Sequence, residues 1–231
     1  ETMQTFHQLF EPDTSTYSYI LVDTTTDAAA IIDPVRTMLE RDLQVIRDHG
    51  LRLELILDTH VHADHITGAG GLRKETGAPI AVGRECGADC ADFQLDGDED
   101  LTFGNEVIHT IPTPGHTPGS MSFRWRDRVF TGDALLIGGT GRTDFQGGDP
   151  GQLWDSLTQG ILCLDDETLL FPGHDYQGRT VTTVGEERAT NPRLSDNTRD
   201  GFIELMNGLE LNPPRYIDEA VPANRECGEP A

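Results

Sequence analysis

The chain of 231 residues holds a single lysine, Lys74, and only 17 basic residues against 40 acidic ones, for a formal net charge of −23. A surface this poor in positive charge repels polyanions, so no nucleic-acid partner is expected. No apolar run is long enough to cross a bilayer, so no membrane span is expected. The first residues, Glu1 to His7, lack a basic segment followed by an apolar one, so no signal peptide is expected and a cytoplasmic location follows. Glu1 and Thr2 read as leftover residues ahead of a natural start at Met3. Cysteine is scarce as well. Cys86, Cys90, Cys163 and Cys227 form no CxxC pair and are too few to staple a chain of this size, so reduced thiols are expected. Cys86 and Cys90 stand four apart and could share a helix face, where ordinary packing outweighs a redox pair. The acidity has two readings: plain solubility, or a high-salt habitat in which an acidic surface stays hydrated.

What is present suits one globular domain over residues 1–231, with 36% hydrophobic residues and many glycines and prolines for loops. Residues 16–22 and 28–32 read as strands. Val35, Leu39, Leu43 and Ile46 recur at helical spacing before Gly50, which predicts a helix over 35–49. Residues 53–57 form a strand that runs into Asp58-Thr59-His60. A helix is predicted over 66–76, closed by Gly77, and a short strand over 79–82. Residues 107–111 form a strand leading to Pro112-Thr113-Pro114-Gly115-His116. Residues 120–125 and 128–131 read as a hairpin around Asp127 that delivers Gly132-Asp133. A helix over 153–164 precedes a strand over 168–171, which delivers Pro172-Gly173-His174. Helices are predicted over 180–189 and 198–209.

Four times an apolar run leads into a residue of a metal-binding type: His60, His116, Asp133 and His174. Loops leaving strand ends can converge on one edge of a sheet, the geometry a preorganised site needs. His60-Val61-His62-Ala63-Asp64-His65 packs three imidazoles and one carboxylate into six residues. On an extended segment His60 and His62 face one side, and a turn toward a helix at Ile66 would bring Asp64 and His65 to the same space. Imidazole with carboxylate suits zinc, iron or manganese. A surface loop with incidental histidines is the competing account, but a chance cluster rarely includes a carboxylate at this spacing. Taken singly, His116 and His174 are moderate signals and Asp133 is weak, since Gly-Asp is also a common turn. Their order and context make the signal strong.

The series THVHADH, PGHTPGS, TGDALL and PGHDY, in this order, resembles the motifs of the metallo-β-lactamase superfamily over nearly the whole chain. The resemblance implies an α/β fold, an αββα sandwich with the metal at one edge between two sheets. Two branches come near. Glyoxalase II enzymes hold two metals and hydrolyse a glutathione thioester; persulfide dioxygenases hold one ferrous iron and oxidise glutathione persulfide. Both keep the ligand types found here, so counting ligands does not separate them. The flanks do. Ser15–Tyr19, Ala63–Gly68, Gly132–Ile137, Gly141–Gln146, Asn191–Leu194 and Ala220–Asn224 resemble the persulfide dioxygenase pattern. Glyoxalase II would more typically show an aromatic-rich stretch at 142–146 and a longer C-terminal helical domain.

Carried over residue by residue, the resemblance implies one Fe(II) per chain on His60, His116 and Asp133, a facial triad with three open positions. His62, Asp64, His65 and His174 would then orient ligands and hold water. The implied reaction takes glutathione persulfide and O2 to sulfite and glutathione, and the implied assembly is a homodimer. Glutathione brings two carboxylates into an acidic protein. Arg142 and Arg193 are the candidates to meet them, with Asp175 and Tyr176 beside the peptide portion; structural ion pairs with the abundant acids are the alternative for either arginine. Cys227 could approach the sulfur substrate, although simple burial is the stronger expectation. The rival function is a dinuclear zinc hydrolase of glutathione thioesters.

Overall fold

A computed structural model describes residues 5–229. The expected start at Met3 lies outside the described residues. The first half of the chain gives β1 (Phe6–Glu11), β2 (Thr16–Asp23), β3 (Ala28–Ile32), α1 (Leu39–Asp48), β4 (Arg52–Leu57), α2 (Ala69–Thr76), β5 (Ile80–Gly83) and β6 (Phe93–Leu95). The second gives β7 (Asp100–Phe103), β8 (Glu106–Pro112), β9 (Met121–Trp125), β10 (Arg128–Gly132), α3 (Pro150–Ser156), β11 (Leu169–Pro172), β12 (Thr182–Thr183), α4 (Val184–Thr190), α5 (Arg199–Asn207) and α6 (Ile217–Arg225). The strands form two six-stranded sheets, ordered β1-β2-β3-β4-β5-β6 and β12-β11-β10-β9-β8-β7. Each sheet is mixed: β3, β4, β5 and β6 run parallel, as do β10 and β11, and the other neighbours are antiparallel.

Burial shows why the strands read as unbroken apolar runs. Every residue of β2 and β3 is buried, because helices cover one face of the sheet and the second sheet covers the other. Side chains alternate between the faces. Tyr19, Leu21, Ala30, Ile32 and Leu57 meet Ile108, Phe123, Trp125, Phe130 and Phe171 between the sheets. Ile20, Val22, Ile31 and Ile56 point the other way, onto Leu43 and Ile46 of α1 and Leu72 of α2. On the far side Val129 and Leu170 pack on Leu153, Leu157, Phe202 and Met206. This is the αββα sandwich expected from the motifs.

The differences from expectation are local. β1, β6 and β7 were not anticipated: they lie at or beside sheet edges and are only partly buried, so their apolar pattern is broken. α2 begins at Ala69 rather than 66, because Thr67 bridges to Val35 and gives its N–H to Asn224. Residues 182–183 pair with β11 before α4 begins, since the Thr183 hydroxyl caps that helix by accepting from Glu186 N. α6 was missed because Pro222 sits inside it.

The expectation of reduced thiols is overturned at one pair. Cys90 and Cys227 are joined as a disulfide across 137 residues. They come together because α6 packs back onto the loop after β5, a proximity that spacing along the chain does not reveal. Cys86 and Cys90 share no helix: Cys86 closes a short 3₁₀ turn and Cys90 lies in the loop beyond it. Cys86 stays a free, buried thiol, and burial pushes its pKa up to about 12.

Candidate metal centre

β4 ends at Leu57, and the next three residues carry the chain over the sheet edge to His60. Asp33, at the corresponding end of β3, organises that exit. Its backbone is left-handed, with φ 54°, a conformation that aspartate tolerates better than most residues. Its carboxylate accepts from Thr59 N at 2.7 Å and Thr59 Oγ1 at 2.9 Å, and faces His62 Nε2 at 3.2 Å. From the opposite sheet, β10 ends at Gly132, with φ 52°. A Cβ there would lie 2.5 Å from the Thr59 hydroxyl, so glycine alone allows the turn that presents Asp133. Gly141 serves the same end: a Cβ would lie 2.1 Å from Asp133 O and 2.8 Å from His116 Nδ1.

One ligand-type atom from each of His60, His116 and Asp133 falls within 4.8 Å of the others. His116 Nε2 stands 3.6 Å and His60 Nε2 3.8 Å from Asp133 Oδ2. The hydrogen bonds on the far nitrogens set the tautomers. His116 Nδ1 lies 2.7 Å from the carbonyl of Arg142, which can only accept, so Nδ1 carries the proton and Nε2 is a bare lone pair. His60 Nδ1 lies 2.9 Å from Thr59 Oγ1. That hydroxyl already donates to Asp33, so it accepts from Nδ1, and His60 Nε2 is bare too. Two lone pairs and one carboxylate oxygen aimed at a common point are the donor set for a divalent transition metal. Burial, followed by the neighbouring His62, drives the pKa of His60 well below normal, which keeps its ring neutral.

His174 is held differently. Its Nδ1 lies 2.6 Å from Asp133 Oδ1 and its Nε2 2.7 Å from Asp64 Oδ2. Burial opposes charge on this ring, but the two carboxylates outweigh it and raise its pKa well above the ordinary value. Both nitrogens therefore donate. Asp133 in turn resists the desolvation of its carboxylate through the His174 cation and stays ionised far below the usual range. Asp64 is likewise held low by His174 and His65 against its burial. Asp64 Oδ2 also accepts from His65 Nδ1 at 3.0 Å, and Thr16 Oγ1 sits 3.1 Å from His174 Nε2. His62 is fixed between Asp33 and Asp58, whose Oδ1 atoms lie 3.2 and 3.5 Å from its Nε2 and which raise its pKa against burial. His62 Nδ1 and His65 Nε2 are buried without a hydrogen-bond partner.

His60, Asp64, His116, Asp133 and His174 floor an open cleft walled by Arg142, Phe145, Gln146, Tyr176, Pro214 and Arg215. Of the residues expected at the substrate, Tyr176 stands on the wall, exposed and stacked on His174. Arg142 stands there too, but its guanidinium is spent on Asp144 and on main-chain carbonyls. Arg193 is not on the wall. It is half-buried and donates to Thr140 O and Oγ1 at 2.8 and 3.0 Å. Asp175 is buried, and its carboxylate accepts from Gln177 N, Arg179 N and the Arg179 guanidinium. Cys227 gives its sulfur to Cys90. Asp33, Asp58, Thr16, Thr59 and Arg215 were not foreseen. Asp33-Pro34 at a strand end is a turn signal that could have flagged the first; the others carry no local signature.

Residues 12–174 match the family model of the metallo-beta-lactamase superfamily. The chain belongs to that superfamily, and within it to the family of the ETHE1 persulfide dioxygenases. It is 45% identical over 224 residues to the human protein named "Persulfide dioxygenase ETHE1, mitochondrial", covering 96% of this chain and 87% of that protein. A crystal structure of ETHE1 from Myxococcus xanthus superimposes with a TM-score of 0.96 at 49% identity, over 98% of this chain and all of that one. Likeness to glyoxalase-type proteins is more distant: Glyoxylase B2 of Dictyostelium discoideum is 30% identical over 95% of this chain and 89% of its own length. No helix among the described residues is long and apolar enough to cross a membrane.

Proposed function

We propose that this chain is a persulfide dioxygenase that oxidises glutathione persulfide. With O2 and one water it yields sulfite, glutathione and two protons. One ferrous iron per chain would be held by His60 Nε2, His116 Nε2 and Asp133 Oδ2. Iron so bound supplies the redox chemistry and the meeting place for O2 and the sulfur anion.

The chain's own residues do the rest. Arg142 O and Thr59 Oγ1 fix the two imidazole tautomers. His174 holds Asp133 Oδ1, which turns Oδ2 toward the ligand set and keeps the carboxylate ionised. The ionised Asp64 and the His174 cation form a polar wall beside the reacting sulfur, where water can be oriented.

The single observation that carries this reading is the double engagement of His174. With both of its nitrogens given to carboxylates, a second metal next to Asp64 lacks a ligand that a dinuclear hydrolase would need. One observation favours that rival: the unpartnered His62 Nδ1 and His65 Nε2 are atoms a second ion could recruit. An oxygen electrode with iron-loaded enzyme and glutathione persulfide, coupled to metal analysis, separates the two. Oxygen uptake with sulfite release and one iron per chain supports the proposal. Two zinc per chain, thioester hydrolysis and no oxygen uptake overturn it.

A homodimer and a cytoplasmic location complete the proposal. Sedimentation tests the first. Rapid alkylation of intact cells, with the redox state of Cys90 and Cys227 as readout, bears on the second, because a reducing compartment opens an accessible disulfide.

A further inference from the structure

The disulfide between Cys90 and Cys227 lies one helical turn from the residue that ties down the histidine cluster. Cys227 N donates to Asn224 O at 3.1 Å, and the Asn224 side chain bonds the main chain at His62, His65 and Thr67. The turn that carries Cys227 fits closely against the start of α2. Cys227 O accepts from Gly70 N at 2.9 Å, and a Cβ on Gly228 would lie 2.2 Å from Thr67 O. Cys227 itself is left-handed, with φ 58°. That conformation is costly for a residue with a Cβ and persists only where the surroundings enforce it. The crosslink is part of that enforcement.

The two sulfurs differ in access. Cys227 is only 3% exposed, whereas Cys90 is half-buried in the loop after β5. In thiol–disulfide exchange, access helps decide which sulfur is attacked, so an incoming thiolate reaches Cys90 Sγ and expels Cys227. Arg73 on α2 still holds both sides once the bridge is open. It donates to Cys90 O at 2.8 Å and pairs with Glu229 at 3.4 Å. The two thiols therefore stay near each other and can close again.

We infer that the bridge between Cys90 and Cys227 is an exchange site for small monothiols such as glutathione, and that its state sets how firmly the metal centre holds its ion. The thiolate bonds to Cys90 Sγ as the bond to Cys227 breaks, and Cys227 leaves as a thiolate and takes a proton. A second thiolate attacks the first thiol's sulfur in the mixed disulfide, which frees Cys90 and releases the small disulfide. Two small thiols are oxidised and one protein disulfide is reduced. With the bridge open, the turn at 227–228 relaxes from α2, Asn224 loosens its grip on the histidine segment, and metal affinity falls. The small disulfide drives the same steps backward and restores the grip. This link concerns the metal centre and holds whichever reaction the centre performs.

The test is a titration with mixtures of glutathione and glutathione disulfide, in a Cys163→Ser background because Cys163 is a free, exposed thiol. Mass spectrometry reads the state of the bridge, competitive metal titration the iron affinity, and hydrogen exchange the Thr67 amide. As the bridge opens, the iron Kd should rise about tenfold. The Thr67 N–H should exchange faster in step with it, and glutathione disulfide should reverse both changes. Cys227→Ser should take up one glutathione on Cys90, whereas Cys90→Ser should leave Cys227 unmodified. Either variant should hold iron with the affinity of the reduced protein in every mixture, which also shows that glutathione itself does not compete for the ion. A bridge that stays closed in glutathione alone overturns the inference, as does equal modification of the two cysteines. So does an opened bridge whose iron Kd stays within about twofold of the closed one.

Discussion

The side-chain amide of Asn224 donates to the main-chain carbonyl of His62 at 2.8 Å across 162 residues of chain. The same amide donates to His65 O at 2.8 Å, and its oxygen accepts from Thr67 N at 2.8 Å. One buried side chain thus ties down both ends of the segment that holds the histidine cluster. Asn224→Ala would leave three buried main-chain groups without partners. Stability should fall by about 2–4 kcal/mol, and iron affinity by about 10–100-fold. Urea unfolding and competitive metal titration measure the two; wild-type values for both would remove Asn224 from the support of the site.

Asp133→Ala should abolish iron binding and oxygen uptake together. His174→Gln should behave otherwise. The triad stays complete, but Asp64 and Asp133 then face each other without the cation between them. Iron should still bind, more weakly, and the variant should lose stability as pH rises and both carboxylates ionise. Metal analysis beside thermal unfolding from pH 5 to 8 checks this. A His174→Gln protein that holds iron as tightly as wild type at every pH counts against the electrostatic role of His174.

The disulfide between Cys90 and Cys227 closes a loop of 137 residues. The chain-entropy model puts the worth of a crosslink over such a loop at about 5 kcal/mol, and disulfides typically deliver about 2–4 kcal/mol. Cys90→Ser should lower the urea midpoint accordingly, and a reductant should lower the wild type to the same value. A variant as stable as the oxidised wild type would show that the α6 segment is held by packing and by Asn224 alone.

Asp42 on α1 is buried, and desolvation outweighs the adjacent Arg41 to raise its pKa from 3.8 to about 6. A carboxyl whose folded-state pKa is raised favours folding while protonated. Stability therefore declines as pH rises from 3.8 to about 6 and is level above that range. Asp42→Asn should be more stable than wild type at pH 8 by about 1–2 kcal/mol, with the advantage shrinking toward pH 4. A constant difference across this range would assign the effect to packing.

Much of the sandwich was legible in sequence because the central strands are buried on both faces and the helices present a regular apolar stripe. β1, β6 and β7 escaped because a strand near a sheet edge needs few apolar residues. The cluster from His60 to His65 and the turns at His116, Asp133 and His174 were legible because metal-binding side chains follow strand ends. Asp33 and Asp58 were not, since each reaches His62 only once β3 and β4 lie side by side, and Thr16 was not, since it meets His174 only when the sheets close. The committed state of Arg142 and Arg193 was equally hidden. Residue type gives a guanidinium its potential partners, but only the fold tells which carbonyl or carboxylate has already taken it.

His60 issues from one sheet, while His116 and Asp133 issue from the other. A chain with only its first six strands in place offers one of the three proposed triad ligands. Metal capture at the proposed triad must therefore wait until the Phe- and Tyr-rich seam between the sheets has closed, so metal retention should act as a checkpoint on assembly: a mutation far from the cleft that loosens the seam should first show itself as an enzyme that arrives empty.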